Sequence, residues 1–342
     1  MRRLLAGLTV TYAVGLLSML LAVAHWGERH PVLNLCLYLP PLVWLLPVVV
    51  LAPLSLFLRP RLCLWQLGCV AIVLWPFMGL QWRFGSHSRE PDLVCVTNNI
   101  ATSHGFSLKP FLDQQNPDIV ALQDAATEGR QVVQELADRH TARLGQFTLI
   151  SRYAILKNEP VALAPFPDEP VAARSELDFG GRLIAIYNVR LPSPRRDLQL
   201  ARSGLGALRR NPARIHENAP WDAYAAMLPL RVELTRNLLA TLRQEPLPYI
   251  VLGDFNTPSV GSSYRLLAGA LTDCFTAAGS GFGFTFPGDS GYFLSIYRPW
   301  MRLDYVFTDR HWEPISISVE NSRRSEHRAV AARLRFVPGK SG

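Results

Sequence analysis

Two hydrophobic rhythms divide this chain. Three stretches free of charged residues, 4–24, 31–58 and 62–82, open it, and each reaches the roughly 20 residues that a helix needs to cross a hydrocarbon core about 30 Å thick. They predict a membrane region over 1–82 with three transmembrane helices. A single helix over 31–58 would be longer than the core requires, and Pro40 and Pro41 predict that the spanning part starts near Leu42. A polar linker follows over 83–91. From residue 92 the rhythm changes to short apolar runs rich in Val, Ile, Leu and Tyr, at 92–98, 118–123, 182–189, 249–253, 303–307, 315–319 and 329–336. Their length and composition predict strands. Helical patterns lie between several of them, around 107–115, 128–140, 231–244 and 262–268. Strands and helices in alternation predict sheets covered by helices.

Composition sharpens this division. Of the 342 residues, 49% are apolar and 18% charged, and the concentration of the apolar share in the first 82 excludes an all-soluble protein. Residues 92–342 are long enough for one large domain with a full core. The net charge of +8 looks like a nucleic-acid footprint until it is divided: 1–90 carries seven Arg against Glu28 and Glu90, and 91–342 carries 28 Lys and Arg against 25 Asp and Glu. Most of the excess therefore belongs to the membrane part, where it reads as orientation. Arg2, Arg3, Arg59 and Arg61 are unopposed and are expected to stay cytoplasmic, so that three crossings put residue 83 onward outside. The rival reading is a cleaved signal peptide ending at Ala22-Val23-Ala24, which leaves the large domain on the same side. Five cysteines exclude a disulfide scaffold. Cys36, Cys63 and Cys69 lie in apolar spans, and Cys95 and Cys274 in predicted strands. Buried thiols are expected, with a Cys95–Cys274 bridge left open by the sequence.

Several predicted strands run apolar and then end in polar residues: Asn98-Asn99, Gln123-Asp124, Arg190, and Asp254 with Asn256. Strand ends gathered on one rim would make one polar site. Gly253-Asp254-Phe255-Asn256-Thr257-Pro258 is the most specific local signal, although Gly, Asp, Asn and Pro also make ordinary turns. Its company carries more weight. Pro117-Asp118-Ile119-Val120-Ala121-Leu122-Gln123-Asp124 precedes it, and Arg302-Leu303-Asp304-Tyr305-Val306 and Ser325-Glu326-His327-Arg328-Ala329-Val330 follow. Taken singly, Asn99 reads as a turn residue, Asp124 as a helix cap, Asp304 as a solvated partner of Arg302, and His327 as an exposed loop residue.

In this order and spacing the motifs resemble the endonuclease/exonuclease/phosphatase superfamily, over roughly residues 92–336. The resemblance implies an α/β fold, a four-layer α/β/β/α sandwich of two mixed sheets, preceded here by transmembrane helices. Residues 92–342 would form the catalytic domain. It also implies hydrolysis of a phosphoester with Mg²⁺ (or Mn²⁺). Asp124, Glu326 and Asn99 would hold the metal with the hard oxygens that such ions prefer, and clustered carboxylates would repel one another without a cation. Asp254 would orient or deprotonate the attacking water, and Asn256 would hold a phosphate oxygen. His327 would transfer a proton, with Asp304 fixing its imidazole. The apolar segment resembles that of bacterial membrane-anchored members, which implies a multi-pass protein of a bacterial inner (plasma) membrane with its catalytic domain on the periplasmic or extracellular side.

Three departures stand against the family pattern. Gln123-Asp124 has a carboxylate one methylene shorter than the family's Gln-Glu, and Ser325-Glu326-His327 has one a methylene longer than its Ser-Asp-His. Where the family has Asn-x-His-Leu, this chain has Asn188-Val189-Arg190-Leu191. Arg190 can bind phosphate through its planar fork of donors but cannot transfer a proton near neutral pH. Arg190 is therefore assigned to substrate binding, and a catalytically degenerate domain that binds a phosphorylated ligand is the alternative. Expected partners are the phosphoester substrate and the lipid bilayer. A nucleic acid, a nucleotide and a lipid head group are all open as substrates, and no protein partner is predicted. An Arg-rich segment over 190–214 could hold anionic substrate or lipid head groups, or be a solvated basic helix. The aromatics of 281–300 could stack bases or dip into lipid, against the plainer reading of loop packing.

Overall fold

The computed structural model describes residues 1–83, 90–100, 106–127, 129–193, 199, 219–288, 298–321 and 323–338. The chain forms two compact units that do not follow chain order. One comprises Met1–Leu80, Arg195–Pro229 and Pro258–Arg265, and the other Gln81–Pro194, Leu230–Thr257 and Leu266–Gly342.

In the first unit, three helical stretches are long and apolar enough to cross a membrane: Arg2–Trp26, Pro41–Leu58 and Pro60–Phe77. The second expected span is broken as its prolines suggest. A short helix, Pro31–Leu37, ends before Pro40, and a new helical start at Pro41 runs on into Leu46–Leu58. Leu46, Val49, Val50, Phe57 and Leu64 face outward. Several polar side chains of these helices find partners inside the bundle. Gln66 Nε2 donates to Thr9 Oγ1 at 3.1 Å, Ser55 Oγ to the Leu51 carbonyl at 2.6 Å and Tyr12 OH to the Trp44 carbonyl at 2.7 Å. Segments distant in sequence complete the unit. The Ser263 amide donates to the buried carboxylate of Glu28 at 2.5 Å, and Tyr224 OH to Asn34 Oδ1 at 2.8 Å.

The second unit holds two six-stranded mixed sheets, with strands numbered β1–β12 in chain order. The first runs β11 (Trp312–Val319), β12 (Val330–Phe336), β1 (Leu93–Asn99), β2 (Ile119–Gln123), β4 (Phe147–Ser151), β3 (His140–Leu144). The second runs β5 (Ile155–Val161), β6 (Ala172–Phe179), β7 (Arg182–Arg190), β8 (Tyr249–Asp254), β10 (Asp304–Thr308), β9 (Thr272–Asp273). Each sheet contains one parallel pair, β1 with β2 and β7 with β8, and its other pairs are antiparallel.

Period-two alternation explains how the layers close. Leu93 and Cys95 of β1 and Ile119 and Ala121 of β2 share one core with Ile184 and Ile186 of β7 and Ile250 and Leu252 of β8. The intervening residues Val96, Val120 and Leu122 face the other way, onto Phe111, Leu112 and Val132 beside or within helices Lys109–Gln115 and Gly129–Glu135. Strands covered on both faces read as unbroken apolar runs, and each fully buried Ile or Leu contributes on the order of 1.5–3 kcal/mol relative to exposure. From Leu230 on, helix Ala219–Arg243 buries Leu234, Leu238 and Leu242 at helical spacing, and Glu245 just beyond its end bonds Arg174 of β6 and Tyr187 of β7. The architecture is the four-layer α/β sandwich that the motifs imply.

Several elements differ from the sequence reading. The helix expected over 128–140 stops at Glu135, and His140–Leu144 is a strand. The helix expected from 231 begins at Ala219 and continues through Pro229. Strands β3, β4, β5, β6 and β9 lie outside the expected runs: β3 and β5 carry exposed charges such as Arg143 and Lys157, β6 carries charges paired inside the fold, β9 is two residues long, and β4 is buried throughout. All five cysteines are free thiols. Cys95 and Cys274 share the inter-sheet core, where burial pushes Cys95 up to about 12 and Cys274 well above its ordinary value.

Candidate active site

Topology brings the polar strand ends together. The two strands of a parallel pair end on the same side, so β1 delivers Asn99 beside Gln123 of β2, and β7 delivers Arg190 beside Asp254 of β8. Antiparallel β10 starts where β8 ends, which sets Asp304 opposite Asp254. β12 runs antiparallel to β1 with Val330 opposite Thr97, so the turn Ser325–Arg328 arrives at the end of β1. Local backbone supports these positions. Gly253 has φ +144°, and a Cβ there would lie 1.9 Å from the Val189 carbonyl oxygen, so β7 and β8 approach as closely as they do only because no side chain intervenes. Asp124 and Asn256 turn out of their strands with φ 51° and 50°, a left-handed conformation that Asn and Asp tolerate better than most residues.

Asp254 is the hub. Asn99 Nδ2 donates to its Oδ2 at 2.9 Å, the Asn256 amide to its Oδ1 at 2.9 Å, and Asn256 Nδ2 to Oδ2 at 2.9 Å and to the Leu191 carbonyl at 2.9 Å. His327 Nε2 lies 3.9 Å from Asp254 Oδ2, and His327 Nδ1 lies 2.9 Å from Asp304 Oδ2. A carboxylate only accepts, so Nδ1–H is the donor and Nε2 faces Asp254. Phe286 packs on the imidazole with ring centroids 4.8 Å apart. Burial pushes the Asp254 carboxyl above its ordinary range, opposed by the His327 charge and the Asn99 amide and reinforced by Asp304. Burial works against a charged His327, but the carboxylates of Asp304 and Asp254 outweigh it and lift the imidazole to about 9. An acid–base pair held in this way can exchange a proton with a bound group.

The remaining expected residues occupy the same rim. Glu326 is buried next to His327 and helps to raise it. Asp124 does not join Asp254. Its Oδ2 lies 2.6 Å from Arg190 Nη2, and Arg190 Nη1 donates to Gln146 Oε1 at 2.7 Å. Asp254, Asp304 and His327 each present one ligand atom within 4.8 Å of the others, a grouping that could hold a metal ion. Of the three residues expected to hold a metal, Asn99 touches this group through Asp254 and offers a hard oxygen of the kind Mg²⁺ or Mn²⁺ prefers, whereas Asp124 and Glu326 are not among the grouped ligand atoms. The grouped atoms suit such an ion, and Asp124, neutralised by a guanidinium, stands outside them.

A supporting layer went unread in the sequence. Gln123 Nε2 donates to Asn188 Oδ1 at 2.7 Å and to Thr97 Oγ1 at 2.9 Å, tying the two sheets at the rim. Arg323 Nη2 donates to Asn98 Oδ1 at 2.7 Å, and Asn98 Nδ2 to the His327 carbonyl at 3.3 Å, which fixes the turn that carries His327. Gln123, Asn188 and Asn98 adjoin motif residues and could have been suspected, whereas Gln146 and Arg323 carry no local signal. Of the Arg-rich segment, Arg195, Arg196, Arg202, Arg209, Arg210 and Arg214 lie outside the described residues, as do Tyr292, Phe293 and Tyr297 of the aromatic loop.

The chain matches the model of the Endonuclease/Exonuclease/phosphatase family over residues 103–327. Among solved structures, an endonuclease/exonuclease/phosphatase family protein from Bacteroides thetaiotaomicron is similar at 14% identity and TM-score 0.52, over 72% of this chain and 98% of that one. A mannosyl-6-phosphatase from Bacteroides thetaiotaomicron VPI-5482 is similar at 15% identity and TM-score 0.51, over 71% and 100% of the two chains. Humanized D. rerio TDP2 is similar at 14% identity and TM-score 0.50, over 71% and 99%. At these identities the likeness is one of fold. No curated protein matches the chain by sequence.

Proposed function

Because this chain belongs to the endonuclease/exonuclease/phosphatase family, whose members generally use a divalent metal, we propose that it is a membrane-anchored, divalent-cation-dependent phosphoesterase that cleaves a phosphoester outside the cytoplasm. The observation that carries this reading is the continuous chain from Asn99 through Asp254 and His327 to Asp304, buried at the rim where strands of both sheets end. Asp254 orients or deprotonates the attacking water, held in place by Asn99 and by the Asn256 amide. His327, oriented by Asp304, stabilises or protonates the oxygens that gain charge. Arg190 binds phosphate oxygens through its fork of donors, and Asn256 lines the phosphate subsite beside it. Asn99 and Glu326, with Asp124 where Arg190 releases it, would hold Mg²⁺ or Mn²⁺, which supplies neutralisation of phosphate charge.

Three crossings from a cytoplasmic Arg2-Arg3 support a domain on the far side of the membrane. A reporter active only in the cytoplasm, fused after residue 342, is expected to stay dark, and a strong signal overturns the orientation. Nucleic acid, nucleotide and lipid head group remain the substrate classes within reach of such a site. The test of the chemistry is turnover of a generic phosphodiester and a generic phosphomonoester by the full-length protein in detergent with Mg²⁺. Turnover is expected to vanish with chelator and in Asp254→Ala. Chelator-insensitive turnover, or turnover independent of Asp254, refutes the mechanism. The Arg190–Asp124 pair favours one second reading, a domain that binds a phosphorylated ligand without cleaving it. Binding without turnover on any phosphoester would select that reading.

A further inference from the structure

Arg190 and Asp124 come from different sheets and meet only at the rim. Arg190 ends β7, and Asp124 follows β2 at a positive φ. The guanidinium is gripped twice, by Asp124 Oδ2 at 2.6 Å through Nη2 and by Gln146 Oε1 at 2.7 Å through Nη1. Gln146 stands just before β4, the neighbour of β2, so both grips belong to the first sheet while the arginine belongs to the second. The charge is therefore fixed rather than roaming, and it acts on the centre of the site, where it favours the ionised form of Asp254. The side chains of Arg190 and Asp124 are 25% and 27% exposed, so both remain open to solutes.

We infer that Arg190 is a built-in cation that competes with the divalent ion for Asp124, so that phosphate, by drawing the guanidinium away, opens the carboxylate to the metal. This rests on the metal-dependent reading above. A divalent cation on a carboxylate sits about 2.0–2.1 Å from its oxygen if it is Mg²⁺. A guanidinium on the same oxygen would then stand within a few ångströms of it, where like charges repel strongly. Asp124 serves one cation at a time. Conversely, a phosphate must take Arg190 from Asp124, and a metal on Asp124 has already done so. Cation and phosphate each lower the other's cost of binding, and the coupling is reciprocal. Gln146 is a positioning residue in this scheme, because it holds the guanidinium between its two partners.

The test uses the full-length protein in detergent, with Mn²⁺ alone measured by electron paramagnetic resonance and inorganic phosphate alone measured by calorimetry, each variant first checked for a native melting transition. Arg190→Gln is expected to raise Mn²⁺ affinity by about two- to fivefold, the coupling of a partly exposed ion pair, and Arg190→Gln with Asp124→Asn to abolish that gain. Arg190→Lys keeps the charge and is expected to stay near the wild type, which separates charge from packing and stands in if Arg190→Gln does not fold. Asp124→Asn is expected to strengthen phosphate binding in the absence of metal. An Mn²⁺ affinity unchanged or lowered by Arg190→Gln, raised by Arg190→Lys, or a phosphate affinity unchanged or lowered by Asp124→Asn, overturns the competition while leaving a metal-dependent enzyme standing. A wild type that binds no Mn²⁺ in any variant overturns the metal reading itself and this inference with it.

Discussion

Glu245→Ala is a perturbation whose size can be worked out from the contacts it removes. Glu245 lies two residues beyond helix Ala219–Arg243, with its side chain 2% exposed. Its carboxylate accepts from Arg174 Nε at 2.6 Å, Arg174 Nη2 at 2.9 Å, Tyr187 OH at 2.6 Å and the Leu247 amide at 3.1 Å. Arg174 and Tyr187 are cross-strand partners on β6 and β7, so one carboxylate staples the end of the helix to the second sheet. The same helix sends Arg231 Nη2 to the Asn256 carbonyl at 2.8 Å, at the rim of the site. Removing one partner of a buried ion pair costs about 3–5 kcal/mol. Arg174 keeps Glu176 at 2.6 Å, which points to the lower end, about 3 kcal/mol. At ~2–4 °C per kcal/mol for a domain of this size, the melting transition should fall by about 6–12 °C.

The pH dependence gives an independent arm. Burial alone would raise the Glu245 carboxyl, but the hydrogen bonds from Arg174 and Tyr187 outweigh it and hold it below its ordinary 4.5. A carboxylate held low in the folded state contributes stability that is fully present above its unfolded pKa and is lost as pH falls through the lower folded value. The gap between wild-type and Glu245→Ala melting temperatures should therefore be full near neutrality and narrow below about 4.5. Tryptophan-fluorescence melts of both proteins across pH measure it. A shift under about 2 °C at neutral pH, too small for a broken buried pair, or a gap that widens in acid, would refute the reasoning.

Other outcomes follow from single contacts. Gly253→Ala puts a Cβ 1.9 Å from the Val189 carbonyl, so β7 and β8 must part beside the Arg190–Asp254 register pair. A misplacement near 1 Å costs on the order of 10²-fold in turnover, and wild-type turnover with wild-type melting would contradict the close approach. Asp304→Asn removes the carboxylate 2.9 Å from His327 Nδ1 and is expected to lower kcat by roughly 10²-fold or more, with a lower melting temperature as the buried imidazolium loses its partner. An unchanged kcat would remove His327 from proton transfer. Cys95 and Cys274, buried with raised thiol pKa values, should react with a thiol dye only after unfolding, and labelling at native speed by mass spectrometry would show that the core is open.

Burial decided part of what was legible in the sequence, although the fully buried β4 was missed. Strands β1, β2, β8 and β10 are covered on both faces, so their continuous apolar runs stood out. The polar residues at their ends stand out by contrast, and Asp254, Asp304 and His327 are legible in those motifs. Strands β3 and β5 show exposed charges such as Arg143 and Lys157, and β6 carries charges paired inside the fold, Arg174 with Glu176 and Glu245, so that alternating charge hides a strand whose inner face is ordinary. Pro160 sits in β5, a strand at the edge of its sheet, where a missing amide donor does no harm.

By itself the sequence determined the division into an apolar helical region and an α/β sandwich, because periodicity and span length are local properties that any partner surface must respect. Only the tertiary structure decided who holds whom. Asp124 read as a metal ligand and Arg190 as a phosphate donor because each was judged within its own strand. They sit on different sheets, 66 residues apart, and their pairing exists only once the sheets are stacked and both strand ends point to one rim. A side chain's chemistry is written in the sequence, but its counter-ion is set by packing.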